Sequence, residues 1–195
     1  MDNITDNQFT EWSHAIKDGS KKSYSDFFRN CYEHYVRFAY RYVKSKDQAC
    51  DLVQEAFIKL WKNREQLDPS KSLKSYMFTI VRNLSLNHIR DHKSRFESLE
   101  DKDHSLNALI IHQEQNKNDS YIKQTVQIIE HLIKKLPDRQ REAFELSRFE
   151  GLRHDEIAEV MKISARTVNN HIVSACRFLR EEYEVKNERD KDIAL

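Results

Sequence analysis

Glycine and proline are almost missing from this chain, and that scarcity limits the folds it can adopt. Only two residues of each type occur in 195 positions. Sheets and their tight turns usually need both, because glycine accepts positive backbone angles and proline presets a turn. Helix interiors, by contrast, disfavour both residues. The scarcity therefore favours an all-α protein.

Apolar residues recur at three- and four-residue steps over the first half of the chain, as on the buried face of a helix. The stripe of a first helix, Ser23 to Lys44, is Phe27, Phe28, Cys31, Tyr35, Phe38, Ala39 and Tyr42. A second helix, which Asp47 could cap, has the stripe Ala49, Leu52, Val53, Ala56, Leu60 and Trp61. A third, from about Ser72 to His92, has Leu73, Met77, Ile80, Val81, Leu84 and Ile89 inward. Three such helices predict a compact bundle over residues 22–92, after an N-terminal extension, 1–21, that could hold a short helix around 8–17.

A second helical domain is predicted over residues 120–183, after a polar, acidic and flexible linker at 93–119. Its first helix, Ser120 to Lys135, has the apolar positions Ile122, Val126, Ile129 and Ile133. The Leu-Pro-Asp sequence at 136–138 ends this helix and starts another, from Arg139 to Phe149, and Gly151 is suited to a helix end. A short helix, 154–161, a three-residue turn and a long helix from Ala165 to about Tyr183 follow. A charged tail, 184–195, ends the chain.

The segment from Gly151 to Glu181 has the spacing of a helix-turn-helix. Ser164 can cap the second helix, whose inward face would be Val168, Ile172 and Ala175. Its opposite face would expose Arg166, Thr167, Asn169, Asn170, Val173, Ser174 and Arg177. Asn can pair with adenine, Arg with guanine or phosphate, and apolar methyls with thymine. The alternative is a plain helical hairpin, but the second helix is long and has no acid from Ser164 to Arg180, which favours DNA reading.

Two further surfaces carry charge in a pattern. Opposite the buried stripe of the second predicted helix, Asp47, Asp51 and Glu55 follow at four-residue steps, with Gln54 beside them. Like charges at this spacing destabilise a helix slightly, so a basic partner could offset the cost. An ordinary solvated face, with Lys59 paired to Glu55, is equally compatible with the pattern.

The third predicted helix is basic, with six Lys or Arg against one acid between Lys71 and Arg95. One face can hold Arg82, Asn83, Asn87 and Arg90, and the aromatic residues Tyr76 and Phe78 lie near the helix start. Basic and aromatic groups together suit single-stranded or distorted DNA, where bases stack and phosphates need neutralising. The alternative is that the aromatic residues are core and the basic ones only solubilise the surface.

Several other classes of protein find no support. Cys31, Cys50 and Cys176 are too widely spaced to suggest a disulfide framework or a metal site. His88 and His92 lie four residues apart but have no third ligand at a supporting spacing. No phosphate-binding glycine loop or nucleophile triad occurs, so no cofactor, metal or enzymatic activity is expected. Without a signal-peptide core or a 20-residue apolar run, the chain is expected to be cytoplasmic.

Three segments resemble a known family. These are DLVQEAFIKLW at 51–61, SYMFTIVRNLSLNHIR at 75–90 and LPDRQREAFELSRFEGLRHDEIAEVMKISARTVNNHI at 136–172. Their sequence, order and spacing resemble regions two and four of bacterial RNA polymerase sigma factors of the sigma-70 family, extracytoplasmic-function subfamily. The resemblance covers about two-thirds of the chain.

The resemblance implies roles for these segments. The helix with Asp51, Gln54 and Glu55 would dock on the β′ clamp helices of core RNA polymerase. The third helix and the loop before it would open the minus-ten element and hold a flipped base. Asn83 is the first choice for that contact, ahead of Asn87 and the loop from Pro69 to Lys74, with Arg82 and Arg90 as basic partners. The helix-turn-helix would read the minus-thirty-five element and meet the β flap, and an anti-sigma factor would restrain the protein.

Four positions depart from the family's usual pattern. Lys162 stands where the turn usually has glycine, and a left-handed backbone there would cost lysine roughly 1 kcal/mol. Arg153 stands where a small cap is usual, Asn169 where a basic residue is frequent, and Asn87 where Asp is frequent. These changes leave the fold expectation intact but leave the promoter sequence open.

A stand-alone helix-turn-helix regulator is the alternative function. It would need a dimer and a palindromic site with half-sites about one DNA turn apart. The sequence has no long heptad repeat for dimerisation, and this alternative leaves the acidic helix face unexplained.

Overall fold

The computed structural model describes residues 4–96 and 119–193, and their side chains over 4–91 and 125–185. All regular elements in these ranges are helices, in two compact units, Met1–Asn107 and Ala108–Leu195. The expected all-α fold with two helical domains is thus confirmed. No helix in the described ranges is long and apolar enough to span a bilayer. The linker predicted at 93–119 falls mostly outside the described residues.

The first unit contains four α-helices. They are α1 (Asp6–Lys17), α2 (Lys21–Val43), α3 (Lys46–Lys62) and α4 (Leu73–Phe96), with a 3-10 turn at Arg64–Gln66. Serine or threonine caps start the first three helices: the hydroxyls of Thr5, Ser20 and Ser45 accept hydrogen bonds from Gln8 N, Ser23 N and Gln48 N. The cap of α3 is thus Ser45, and the prediction of Asp47 was wrong. Asp47 lies in the first turn of α3, where the helix dipole favours an acid.

The core of the first unit is aromatic. Phe57, at 1% exposure, lies at its centre although the predicted stripe of α3 omitted it. Its ring contacts those of Tyr24, Phe27, Phe28, Tyr32 and Tyr35. Phe78 on α4 extends the cluster, with centroids 4.9 Å from both Tyr35 and Phe38. Burying this much aromatic surface is a large part of what stabilises a domain of this size.

Helix α1 is part of this core. Phe9, Trp12 and Ile16 on α1 are buried. The Trp12 ring lies 5.5 Å from that of Phe27 on α2, centroid to centroid. Gly19, at φ 85°, makes the turn between α1 and α2. The segment predicted as an extension therefore supplies one wall of the bundle.

The buried stripe of α4 differs from the predicted one at its end. Leu73, Met77, Val81 and Leu84 are buried as predicted. The stripe continues through Ser85, whose hydroxyl donates to Val81 O at 2.9 Å. Ile89 follows Ser85 by four residues but is 37% exposed, so its predicted inward position was wrong.

The second unit has α5 (Asp119–Lys135), α6 (Asp138–Arg148), α7 (His154–Met161) and α8 (Ala165–Ile193). Its core is mostly aliphatic. The buried apolar residues are Leu132, Ile133, Leu136, Ala143, Leu146, Leu152, Ile157, Val160, Met161, Val168, Ile172 and Ala175. Of the apolar positions predicted for α5, Ile133 is buried, whereas Val126 and Ile129 are 47% and 40% exposed and Ile122 lies outside the described side chains. Within residues 125–135 of α5, whose side chains are described, the last turn therefore contributes most to the core.

The connections of the second unit use two left-handed residues. Gly151 has φ 64° and lets the chain turn after α6, where Leu152 N donates to Leu146 O at 3.0 Å. Lys162 has φ 55° and ψ 50° and ends α7, the strained conformation expected for this position. Helix α8 begins at Ala165 as predicted but continues to Ile193, about ten residues past its predicted end.

Candidate docking and DNA-contact surfaces

The outer face of α3 is acidic and exposed. Asp47, Asp51 and Glu55 are exposed, as is Gln54. Glu55 Oε1 lies 2.9 Å from Lys59 Nζ, the pairing anticipated for an ordinary solvated face. With both side chains about half exposed, that pair stabilises the helix by at most a few tenths of a kcal/mol. It therefore does not tie the acidic face to the rest of the fold.

Two features of the α3 face were missed by sequence analysis. Ile58 follows Gln54 by four residues on the same side and is 51% exposed. Tyr32 on α2 makes a side-chain hydrogen bond with Gln54, and burial raises the pKa of its phenol. A single exposed apolar residue is common on protein surfaces, and the sequence showed Ile58 as the apolar position off the buried stripe. The link between Tyr32 and Gln54 crosses helices and leaves no signal in sequence.

The basic helix α4 divides its predicted contact residues between surface and interior. Asn87 and Arg90 are exposed, and Asn83 is half-buried. Arg82 is only 4% exposed, because it follows the buried Phe78 by four residues and precedes Ser85 by three. The prediction that Arg82 contacts DNA directly does not fit this position. Arg90 remains available, since its only described ion pair is with the exposed neighbour Asp91, at 3.3 Å.

The aromatic residues near the start of α4 also have different roles. Phe78 is fully buried in the aromatic core, whereas Tyr76 is 36% exposed. Of the two, only Tyr76 can offer a ring to an unstacked base. The core alternative therefore applies to Phe78, and base stacking stays a prediction for Tyr76 alone.

The loop before α4 is ordered by its own side chains. The carboxylate of Asp68 accepts hydrogen bonds from Ser70 N at 3.0 Å and Ser70 Oγ at 2.6 Å. These bonds hold the pKa of the Asp68 carboxyl below its usual value. Ser72 then caps α4 by accepting from Ser75 N at 3.2 Å. The segment from Pro69 to Lys74 is thus held in a defined conformation. It precedes Asn83 in the sequence, and Lys74, in the first turn of α4, is half-buried.

The helix-turn-helix is formed by α7, the turn 162–164 and α8. Val168, Ile172 and Ala175 on α8 are buried, as predicted. The capping Oγ of Ser164 accepts from Thr167 N at 3.1 Å and lies 2.8 Å from the Thr167 hydroxyl. Glu156 completes the start of α7, where its carboxylate accepts from Arg153 N at 2.8 Å. This interaction supplies a cap that Arg153 itself, which replaces the usual small residue, does not.

This packing leaves the predicted contact face of α8 at the surface. Six of the seven predicted contact residues are exposed. The seventh, Thr167, is half-buried and hydrogen-bonded to Ser164. The six are Arg166, Asn169, Asn170, Val173, Ser174 and Arg177. Val173 is 48% exposed, which is open enough to meet a thymine methyl. Free N–H groups at the start of α8 can also bind a phosphate.

Two family models match the chain. "Sigma-70 region 2" matches residues 27–95, and "Sigma-70, region 4" matches residues 126–179. The first match covers α2 to α4 with the acidic face and the basic helix. The second covers the last turns of α5 and the helix-turn-helix.

Similar proteins match over most of their own length. The chain is 27% identical to the ECF RNA polymerase sigma factor SigM of Bacillus subtilis, over 78% of this chain and 92% of the relative. It is 26% identical to the ECF RNA polymerase sigma-E factor of Escherichia coli, over 88% and 91%. Among solved structures, the sigma factor RpoE from Bartonella quintana, in complex with the anti-sigma factor NepR, has a TM-score of 0.62 and 22% identity, over 84% and 98%. CnrH, in complex with the cytosolic domain of CnrY, has a TM-score of 0.58 and 17% identity, over 91% and 98%.

Proposed function

Because this chain belongs to the sigma-70 family of RNA polymerase sigma factors, in its extracytoplasmic-function branch, we propose that it docks on core polymerase through α3 and contacts promoter DNA through α4 and α8. As a sigma factor it is a regulatory subunit that directs transcription initiation. The stand-alone regulator is not favoured, since the matched regions include the acidic α3 face that a regulator would leave unused. The observation that supports the assignment of surfaces is that the two matched regions contain three exposed, chemically distinct helix faces, on α3, α4 and α8.

The α3 face is suited to a basic, partly apolar partner. Asp51 and Glu55 repel each other along the helix, and a cationic surface on the polymerase would relieve that repulsion. Ile58 adds exposed apolar area at the same face, which gains free energy when buried. The β′ clamp helices are the partner proposed for this face, with Asp51, Gln54 and Glu55 as its polar contacts.

The α4 surface is suited to a single strand of opened promoter. Asn83 and Asn87 offer amide groups to the edges of an unpaired base, and Arg90 offers charge to the backbone. Tyr76 offers an exposed ring on which a base can stack. The loop before α4 is ordered by its own hydrogen bonds. We assign the minus-ten contacts to Asn83, Asn87, Arg90 and Lys74. For the buried Arg82 we propose a structural part in place of a direct one.

The α8 surface is suited to duplex DNA. Asn169 and Asn170 lie near the helix start, where a recognition helix meets base edges in the major groove. Arg166 and Arg177 can neutralise phosphates, and Val173 can contact a thymine methyl. The minus-thirty-five element is the proposed target, and the β flap is a second proposed contact of this unit.

An anti-sigma factor is a further proposed partner. RpoE of Bartonella quintana, which has this fold, was solved with one bound. Promoter DNA and core polymerase are found together in the bacterial cytoplasm, and we propose that the chain acts there.

The docking proposal predicts that charge reversal on α3 abolishes polymerase binding. In the double variant Asp51→Arg, Glu55→Arg, capture by purified core should fall by about a hundredfold, because two attractions become repulsions at a buried contact. The fold should survive, since the only described bond lost is the exposed Glu55–Lys59 pair. Capture is measured by co-purification with core in the absence of DNA, and helicity by circular dichroism.

A matched control has the same change in formal charge on another helix. Asp6→Arg, Glu11→Arg replaces two exposed acids of α1, a helix that has no proposed contact with polymerase. Its capture by core should equal that of wild type. Wild-type capture by the α3 variant, or equal loss in both variants, would show that α3 is not the docking surface. Run-off transcription with purified core and a promoter library then tests whether the captured protein starts transcripts.

A further inference from the structure

Helix α1 lies against the segment that leads into α4. Residues 67 to 74, called the 67–74 segment below, contain the loop proposed above for minus-ten contact. The two ends of this segment each meet a side chain of α1. Neither matched family region includes α1, since the first match begins at residue 27.

Lys17 holds the first end of the 67–74 segment. Its Nζ donates to the backbone carbonyl of Leu67 at 2.7 Å, across 50 residues of sequence. A bond from a charged donor is among the stronger hydrogen bonds in proteins. Leu67 is itself buried at 6% exposure, so the carbonyl is presented from a fixed backbone.

Phe9 holds the other end. The Lys74 ammonium lies 5.7 Å from the centroid of the Phe9 ring, within range of a cation–π interaction. Phe9 is 5% exposed and packs edge-on against Trp12, with centroids 5.7 Å apart. The ring is therefore a rigid support, and it limits where the flexible lysine chain can place its charge.

The bonds inside the segment do not fix its place on the domain. Asp68 and Ser70 shape the turn, but both are exposed, and their mutual bonds would survive a rigid tilt of the loop. Lys17 and Phe9 resist such a tilt because α1 is anchored in the core by Trp12 and Ile16. The orientation of the loop thus depends on α1.

We propose that α1 is a positioning element for promoter opening: Lys17 and Phe9 hold the two ends of the 67–74 segment in the orientation that receives the separated minus-ten strand. This inference rests on the proposed function of the loop. Lys17 is a positioning residue, since it acts through the Leu67 backbone and does not itself meet DNA.

The variant that tests this role is Lys17→Met, which keeps the aliphatic chain and removes the charged donor. Holoenzyme made from the full-length variant should bind a single-stranded oligonucleotide of the minus-ten element about five- to tenfold more weakly, in line with loss of one charged hydrogen bond. The oligonucleotide is taken from a promoter found by run-off transcription with the wild-type protein. Core capture and binding of a duplex minus-thirty-five fragment should be unchanged.

Two comparisons separate positioning from general damage. Lys17→Arg keeps a cationic donor and should restore most of the oligonucleotide affinity, and Lys21→Met, at an exposed lysine on α2, should match wild type. In the free protein, Lys17→Met should raise amide hydrogen exchange in the 67–74 segment while exchange in α3 and α8 stays the same.

Each other outcome overturns the proposal in a distinguishable way. Wild-type affinity in Lys17→Met, or equal losses of oligonucleotide, core and duplex binding, would overturn the positioning role and leave the proposed function standing. A wild-type protein that starts no transcripts with core would overturn the proposed function, and this inference with it.

Discussion

The two units of this chain bury their helices with different chemistry. The first is built around aromatic rings, with Phe27 and Phe57 at centroids 5.4 Å apart and Phe28 and Phe57 at 4.8 Å. In the described part of the second unit, the one close aromatic pair is Phe144 with Phe149, which is itself 55% exposed. The rest of its buried core is aliphatic and comes from α5, α6, α7 and α8. A ring cluster can join four helices, whereas small aliphatic contacts suffice to hold one long helix on two short ones.

This difference matches how each unit presents its contact residues. The first unit has an aromatic core shared by four helices, and its proposed contact surfaces are the outer faces of α3 and α4. The second unit has an aliphatic core, and its proposed contacts are concentrated at the start of α8. A left-handed lysine ends a helix in each unit, Lys44 after α2 and Lys162 after α7, so this backbone strain is common to both units.

The largest expected effect tests whether the two cores are independent. Phe57→Ala should lower the free energy of unfolding of the first unit by about 4 kcal/mol, because it removes the ring at the centre of the cluster. Leu146→Ala should cost the second unit about 3 kcal/mol. Both tryptophans, Trp12 and Trp61, lie in the first unit, so tryptophan fluorescence reports that unit, and circular dichroism reports both.

With these two probes, Phe57→Ala should shift the fluorescence midpoint in denaturant, whereas Leu146→Ala should shift only part of the dichroism transition. A fluorescence shift in Leu146→Ala of the same size would show that the two units unfold as one. The aromatic core and the aliphatic core would then not stabilise two independently unfolding units.

Most of the fold could be predicted because helix period and caps are local signals. Helix α7 has its predicted bounds, α8 begins at its predicted residue, and Ser164 caps it. Errors arose where burial depends on contacts between helices. Val126 was predicted inward although, within residues 125–135, α5 is buried mainly near its end. Phe57 is a different case, because it lies four residues after Val53 and three before Leu60 and so fits the helical period.

The site residues show the same limit. Exposure of the α3 and α8 faces followed from period alone. Arg82 was placed on one face with Asn83, Asn87 and Arg90, but its register with Phe78 and Ser85 makes it buried. The contribution of α1 through Lys17 could not be seen, because a bond spanning 50 residues to a backbone carbonyl carries no sequence pattern.

A smaller effect tests the division of roles on α8. Asn170→Ala should cost about 1–3 kcal/mol of binding to the preferred minus-thirty-five sequence and relax one base position, because a base contact is lost. Arg177→Ala should weaken binding to all sequences alike and reduce its salt dependence, as for a phosphate contact. Holoenzyme binding to a set of single-base variants, at two salt concentrations, measures both. A change in base preference in Arg177→Ala, but none in Asn170→Ala, would invert these assignments.

The smallest expected effect compares one cap in each unit. Ser164 and Ser20 have the same arrangement: each Oγ accepts from the backbone N of the third residue on, at 3.1 and 3.2 Å, and also bonds that residue's hydroxyl. Replacing either serine with alanine should cost about 1 kcal/mol of unfolding free energy in its own unit. Only Ser164→Ala should also weaken duplex minus-thirty-five binding, because only α8 uses its helix start as a contact surface. Equal DNA affinity in the two variants would mean that the start of α8 is a structural end like that of α2, and that its contacts lie farther along the helix.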